Sequence, residues 1–183
     1  DLAQHRETEG PQLMPFSALV EAAAEPYRAA ASQRGVAVIQ TNAAARGAGG
    51  DPEPEPMVPP GAEIMHGLGN LIQNATQFAV REATITVSWS DDSAAIDIVD
   101  DGPGFPQQVL ARIGEPYLSG RTFETESHMG LGIFIAQTLL ERTGARLSFA
   151  NLAEGGAQIV VEWRRGVLEG TEPVSPLSLE IEA

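Results

Sequence analysis

The 183-residue chain contains no lysine and no cysteine. Without lysine it cannot build a P-loop, whose lysine reaches the phosphates of a nucleotide. All eleven basic residues are arginines. Without cysteine there is no disulfide, no thiolate nucleophile and no zinc–cysteine site, which fits a reducing compartment. Positive charge is scarce: 11 basic against 25 acidic residues leave a net charge of −14. That balance disfavours nucleic acid or an anionic membrane as partner, because both recruit a basic footprint. A phosphate-rich ligand would have to be held by a metal ion and backbone NH groups rather than by bulk attraction. Aromatic residues make up only 5% of a chain that is 43% apolar, so the core is expected to be aliphatic. No apolar run reaches the roughly 18 residues that cross a bilayer, and no signal peptide opens the chain. This segment is therefore expected to make no membrane contact. The length suits one core rather than two. Because the chain starts at Asp1 rather than a methionine, it reads as a piece of something larger.

Along the chain, residues 1–14 are polar and aperiodic and read as a linker. Pro15 suits a first helical turn. Leu19, Val20, Ala23, Ala24, Tyr27 and Ala31 repeat at helical spacing until Gly35. Residues 36–41 (VAVIQT) read as a strand. Residues 43–60 hold three glycines and five prolines, which predicts a loop. The pattern then predicts a helix over 62–81, strands at 84–89 and 94–99, and a short helix near 106–113. Residues 114–130 lack periodicity and read as a mobile loop. A helix over 130–142 stops at Gly144, and strands follow at 145–151 and 157–163. The tail from Gly166 is acidic, contains prolines, and is expected to be loose. Several strands are linked as hairpins. The fold class is therefore an α/β two-layer sandwich, with a mixed, largely antiparallel sheet covered on one face by helices. The expected boundaries are a linker at 1–14, one domain at 15–165 and a tail at 166–183.

On a helical wheel of residues 62–81, Ile64, Leu68, Leu71, Ile72, Ala75, Phe78 and Ala79 share one side. His66, Asn70, Gln73, Asn74 and Gln77 share the other. A polar helix face is ordinarily just solvated, but such faces usually carry Glu, Lys and Arg. This one carries four amides and an imidazole. Asparagine is a mediocre helix former, so two of them four residues apart point to work for the carboxamides. An amide oxygen can ligate Mg²⁺, while the NH₂ donates to a phosphate oxygen.

Two glycine clusters follow. Asp100-Asp101-Gly102-Pro103-Gly104-Phe105 ends an apolar strand and alone would be an ordinary turn. Gly130-Leu131-Gly132 opens a helix, where free first-turn NH groups suit a phosphate. Asp91 and Asp92 are turn formers rather than a catalytic acid pair. His5, Arg6 and Glu7 do not form a phosphoacceptor signature.

Taken in order, NLIQNATQF (70–78), DDGPGF (100–105) and HMGLGI (128–133) resemble the N, G1 and G2 boxes of histidine-kinase ATP-binding domains. DNA gyrase B and Hsp90 share that superfamily. The runs GLGNLIQNA (67–75), GEPYLSGR (114–121) and GLGIFIAQTLLERTGA (130–145) further resemble the RegB/PrrB group of redox-responsive sensor kinases. The resemblance covers roughly 16–165.

It implies the Bergerat (GHKL) ATP-binding fold with ATP and Mg²⁺ as cofactors. It implies Asn74 as the Mg²⁺ ligand, with Asn70 beside the phosphates. Asp100 would accept a hydrogen bond from the adenine amino group, and Gly102 and Gly104 would let the base lie against the backbone. Gly130, Leu131 and Gly132 would border the lid, with Tyr117 in the aromatic place of the F-box region. Many relatives carry a Lys or Arg where this chain has Gln77, so Arg121 or another residue of the 114–130 loop would supply the phosphate contact. His128 stands where the motif's first glycine usually falls. Hydrolytic relatives carry a water-activating glutamate at the place of Asn70. Asparagine cannot act as that base, which favours phosphoryl transfer over hydrolysis.

The implied partners are a histidine-containing dimerisation domain of the same protein and a response regulator. The implied setting is the cytoplasmic domain of an inner-membrane protein. The group's membrane and dimerisation segments, phosphorylated histidine and redox cysteine do not occur in this stretch. Two rival readings use the same fold: a degenerate partner-docking module that no longer uses ATP, and an independent ATPase.

Overall fold

A computed structural model of the chain describes residues 10, 12–113 and 128–175. In chain order the elements are β1 (Met14–Pro15), α1 (Phe16–Gln33), β2 (Ala37–Ala44), β3 (Met57–Val58), α2 (Ala62–Phe78) and β4 (Glu82–Trp89). They continue with β5 (Ser93–Asp100), α3 (Gln107–Arg112), α4 (His128–Arg142), β6 (Arg146–Asn151), β7 (Ala157–Arg164) and α5 (Arg165–Glu169). A five-stranded sheet has the order β2-β4-β5-β7-β6, and β1 pairs with β3 as a small separate ribbon. Among the described residues only β2 runs parallel to its neighbour, β4; the other pairs are antiparallel. This is the mixed two-layer sandwich that the hairpin-linked strands predicted.

The core follows from strand alternation. Ala83, Ile85 and Val87 of β4, Ala94, Ile96 and Ile98 of β5, and Ile159, Val161 and Trp163 of β7 are buried. They meet Leu19, Val20, Leu68, Leu71, Ile72, Ile133 and Leu140 from α1, α2 and α4 in one cluster. The opposite sheet face carries Thr84, Thr86 and Ser88, which are only half-buried. Period-two patterning thus sends one face of the sheet to the helices. Trp163 stacks edge-on against Phe16 with ring centroids 5.8 Å apart. Its indole NH donates to Thr143 Oγ1 at 2.9 Å, so the largest core side chain keeps its polar atom satisfied.

The structure corrects the sequence expectation at four places and adds detail at a fifth. Pro15 is not in the first turn of α1 but caps it with extended dihedrals, φ −58° and ψ 142°, and it lies in the β1–β3 ribbon. β2 runs on to Ala44, because the parallel register continues to Ala44↔Trp89 despite the weak strand formers there. The loop after it is tied down. Glu55 accepts from the Ser17 NH at 2.7 Å, the Phe16 NH donates to the Pro56 carbonyl, and Trp89 Nε1 donates to the Glu53 carbonyl. α2 ends at Phe78, short of the expected position 81, because the backbone turns extended at Ala79 (ψ 140°) to enter β4. The tail is helical over Arg165–Glu169, with Leu168 buried. The F-box residues 114–121, including Tyr117 and Arg121, and the His5 segment lie outside the described residues.

Candidate functional site

α2 and α4 run antiparallel. Glu63 in the first turn of α2 pairs with Arg142 in the last turn of α4 at 3.3 Å. A Cβ on Gly67 would lie only 2.6 Å from Leu140 Cγ. Gly67 therefore lets the two helices approach closely. With both helices rising about 1.5 Å per residue, this pairing sets the N-terminus of α4 beside the C-terminal half of α2, where Asn74 lies.

Burial of the polar face of α2 is graded. His66 and Gln77 are exposed, Asn70 and Gln73 are half-buried, and Asn74 is buried with only 8% of its surface exposed. Among the described residues, neither Asn70 nor Asn74 has a side-chain hydrogen-bond partner, whereas Thr76 in the same helix bonds the Gln73 carbonyl. The buried side-chain polar atoms without a partner among the described residues are Arg28 Nε and Gln40 Oε1, so the Asn74 carboxamide, in a residue that is otherwise buried, keeps its polar atoms open to water or a ligand.

The turn after β5 is held at several points. Asp100 is 4% exposed, and its Oδ1 accepts from the Gly102 NH at 2.8 Å. Burial raises its pKa, opposed by the NH groups of Gly102 and Ala157 and reinforced by the neighbouring Asp101 charge. Asp101, the lesser acid in the sequence reading, accepts from the NH groups of Val80, Arg81 and Glu82 at 2.7 to 3.2 Å. Its slight burial pushes its pKa up, but those NH groups outweigh that and hold it low. A side chain at Gly102 would collide with the Phe78 carbonyl, and one at Gly104 would lie 2.7 Å from Asn151 Oδ1. Gly104 also has φ +85°, where L side chains are strained. Both glycines are thus demanded by the chain's own packing, besides any room they leave for a base.

α2, the 100–105 turn and the start of α4 therefore meet around one region. A Cβ at Gly132 would meet nothing within 4 Å among the described residues, so the space on that side of the helix is open. Leu131 is exposed. His128 opens α4, and Gly130 lies in its first turn. A buried acid, unpartnered carboxamides and the opening of a helix with an uncovered glycine suit a nucleotide better than a hydrophobic ligand. The residues also fit a hard cation, since an amide oxygen is an ordinary ligand for Mg²⁺. The anchoring roles of Asp101 and the Asn151 carboxamide were missed in the sequence. Their partners lie 19 or more residues away, and no local pattern reports them.

A separate cavity of about 550 Å³ lies at the other end of β5, lined by Asp91, Asp92, Arg146, Arg164 and Arg165 among others. It holds none of the sequence-predicted site residues. Two of its arginines are engaged, Arg164 with Glu172 and Arg165 with Glu169.

A sequence model of the family described as "Histidine kinase-, DNA gyrase B-, and HSP90-like ATPase" matches residues 61–166. Sensor histidine kinase RegB of Cereibacter sphaeroides is 49% identical over 113 residues, covering 58% of this chain and 24% of that protein. The C4-dicarboxylate transport sensor protein DctB of Pseudomonas aeruginosa is 35% identical over 105 residues, covering 55% and 17%. The chain thus spans a quarter or less of these relatives. Among solved structures, full-length ShkA in complex with AMPPNP superposes with TM-score 0.62 at 22% identity, covering 84% of this chain and 31% of that one. The catalytic domain of histidine kinase ThkA gives TM-score 0.62 at 16% identity, covering 84% and 96%. At those identities the structures speak for the fold alone.

Proposed function

The chain belongs to the histidine kinase-, DNA gyrase B- and HSP90-like ATPase family, and on that premise we propose that it is the ATP-binding catalytic domain of a two-component sensor kinase. In this reading it binds Mg·ATP and presents the γ-phosphate to a histidine on a separate dimerisation domain, for onward transfer to a response regulator. The observation that carries it is Asn74. Its carboxamide is 8% exposed, sits one turn from Asn70, and has no side-chain partner among the described residues. That leaves its amide oxygen and NH₂ open to a ligand.

The roles follow from the chemistry of each group. Asn74 offers its amide oxygen to Mg²⁺, and Asn70 steadies the phosphates. The bound cation neutralises phosphate charge that a chain of net charge −14 cannot offset in bulk. Asp100 accepts from the adenine amino group. Gly130, in the first turn of α4, offers its NH to phosphate, Leu131 and Gly132 border the site, and Tyr117 and Arg121 complete the lid. Catalysis is then mostly positioning. Asn70 cannot deprotonate water as a carboxylate would, which favours transfer over rapid hydrolysis. RegB similarity supports a redox-responsive, membrane-attached sensor as the parent protein, with this domain on the cytoplasmic side.

Calorimetry with Mg·ADP is the test. The unsubstituted chain should bind, and Asn74→Ala should lose Mg²⁺-dependent affinity by about a hundredfold, in keeping with losing a metal ligand and a charge-assisted contact. Equal binding by Asn74→Ala would sink the assignment of Asn74. No binding by the unsubstituted chain at millimolar nucleotide would favour a docking module that has abandoned ATP.

A further inference from the structure

We propose that Asn151 is a positioning residue for the nucleotide base, acting through the 100–105 turn; this rests on the reading of that turn as the adenine site. Asn151 ends β6, 46 residues from its partner. Its Oδ1 accepts from the Phe105 NH at 2.7 Å, and its Nδ2 donates to the Phe105 carbonyl at 2.9 Å. Both backbone groups of one residue are thereby engaged by one carboxamide, much as a neighbouring strand would engage them. Only this orientation of the amide works, because a flipped one would set NH₂ against NH and oxygen against oxygen.

Two further contacts make the grip directional. Two residues earlier on β6, Phe149 stacks edge-on against the Phe105 ring, centroids 6.0 Å apart at 73°. A side chain at Gly104 would lie 2.7 Å from Asn151 Oδ1, so the glycine admits the carboxamide. Asp101 ties the start of the turn to residues 80–82, and Asn151 ties its end to β6. Asp100, the carboxylate assigned to the base, immediately precedes the first anchor, and its Oδ1 accepts from the Gly102 NH inside the anchored segment.

Asn151 itself is exposed, so truncating it leaves no cavity and lets water replace its bonds. Loss of the grip should therefore appear in the site rather than in global stability. Preorganising a binding loop raises affinity by reducing the ordering that binding must complete.

The experiment compares the 183-residue chain with its Asn151→Ala and Asn151→Asp variants. It measures Mg·ADP and Mg·IDP affinity by calorimetry, thermal melting, and amide exchange at Phe105. Hypoxanthine lacks the amino group whose proton Asp100 would accept, so the ADP-to-IDP preference reads the placement of Asp100. Asn151→Ala should weaken ADP binding about tenfold and shrink that preference, with melting within about 3 °C of the parent and Phe105 exchange about tenfold faster. Asn151→Asp keeps the size but sets a carboxylate against the Phe105 carbonyl, and should behave like the alanine variant. Unchanged affinity and preference despite faster exchange would overturn the proposal. So would an equal loss for both nucleotides accompanied by a large drop in melting temperature, which is the mark of plain destabilisation. If the unsubstituted chain binds neither nucleotide, the site reading fails first and this proposal falls with it; that outcome is recognisable because it appears before any substitution.

Discussion

Two adjacent aspartates carry opposite electrostatics, and the difference separates their roles. Asp100 has its pKa raised, chiefly by burial. A folded-state pKa above the unfolded one means the native state binds the proton more tightly. Asp100 therefore costs stability as pH rises from the usual carboxylate value, about 4, through its raised value. A buried charge retained at such a cost is a mark of a functional group. Asp100→Asn should therefore melt at or above the temperature of the parent at pH 7 while losing Mg·ADP affinity by about a hundredfold. Melting curves at pH 5 and pH 7 check the first half and calorimetry the second; a variant less stable at pH 7 would contradict the account. Asp101 is the reverse case. Slight desolvation raises its pKa, but the backbone NH groups of Arg81, Glu82 and Val80 overcome that and leave it lowered. Its contribution is present above the usual carboxylate value and lost as pH falls through the depressed one. Asp101→Ala should lower the melting temperature at pH 7, and the difference from the parent should narrow as pH falls below the usual carboxylate value of about 4. A gap that does not narrow as pH falls would mean the carboxylate charge is not what holds the turn. The resemblance to the G1 box singled out Asp100; the strand-ending turn alone would not have done so. Neither could separate the work of Asp101, because the amides that Asp101 holds lie 19 to 21 residues upstream.

Among the elements, α2 and α4 decide the site, and their separation is set by glycine. A methyl at Gly67 would lie 2.6 Å from Leu140 Cγ and 2.8 Å from its Cδ2. Gly69 faces the other way, where a methyl would lie 3.3 Å from the Tyr27 hydroxyl. Helix α2 is therefore wedged between α1 and α4, with one glycine for each neighbour. Gly67→Ala gains helix propensity but overpacks the contact, and should cost about 1–3 kcal/mol net. Leu140→Ala alone should cost about 2–5 kcal/mol by opening a cavity. The double variant should be less destabilised than the sum, because the new methyl fills part of that cavity. Urea unfolding of the four proteins tests this, and strict additivity would show that the two side chains do not meet. The helical wheel found both faces of α2, since periodicity is local. It placed Asn74 correctly on the polar side but gave no sign that it is buried. That burial comes from neighbouring elements, which a wheel does not contain. The C-terminal end of α2 was overestimated for a related reason: the chain leaves the helix to meet β4 and the Asp101 carboxylate, and neither is visible in residues 79–81.

Across the molecule, what was legible is what repeats locally: strand alternation, hairpin linkage and glycine punctuation yielded the sheet and its helical cover. What was illegible is how the two composition-poor segments are used. Residues 45–56 lie in the stretch the sequence marked simply as a loop, yet they strap the edge of the domain. The key fastener is Arg165, whose guanidinium donates to the Ser90 carbonyl, the Pro54 carbonyl and Glu169 at 2.8, 2.8 and 3.0 Å. Its side chain is only 12% exposed. It opens the short helix α5, which carries on into the tail that the sequence marked as loose, and Leu168 in the same helix is buried. The tail and the strap thus hold each other against the β4–β5 turn, at the end of β5 opposite Asp100. Removing residues 165–183 should therefore destabilise the domain by about 2–4 kcal/mol, the combined loss of one buried leucine and a set of charge-assisted hydrogen bonds. Arg165→Ala alone should cost about half of that and expose residues 45–56 to protease. The site lies at the other pole, so Mg·ADP affinity of the folded fraction should stay within about twofold of the parent. Limited proteolysis and calorimetry on the two variants separate the outcomes. A truncated chain that melts with the parent would show that α5 merely rests on the surface. A large fall in nucleotide affinity without loss of fold would show that the strap and the site are coupled through the sheet.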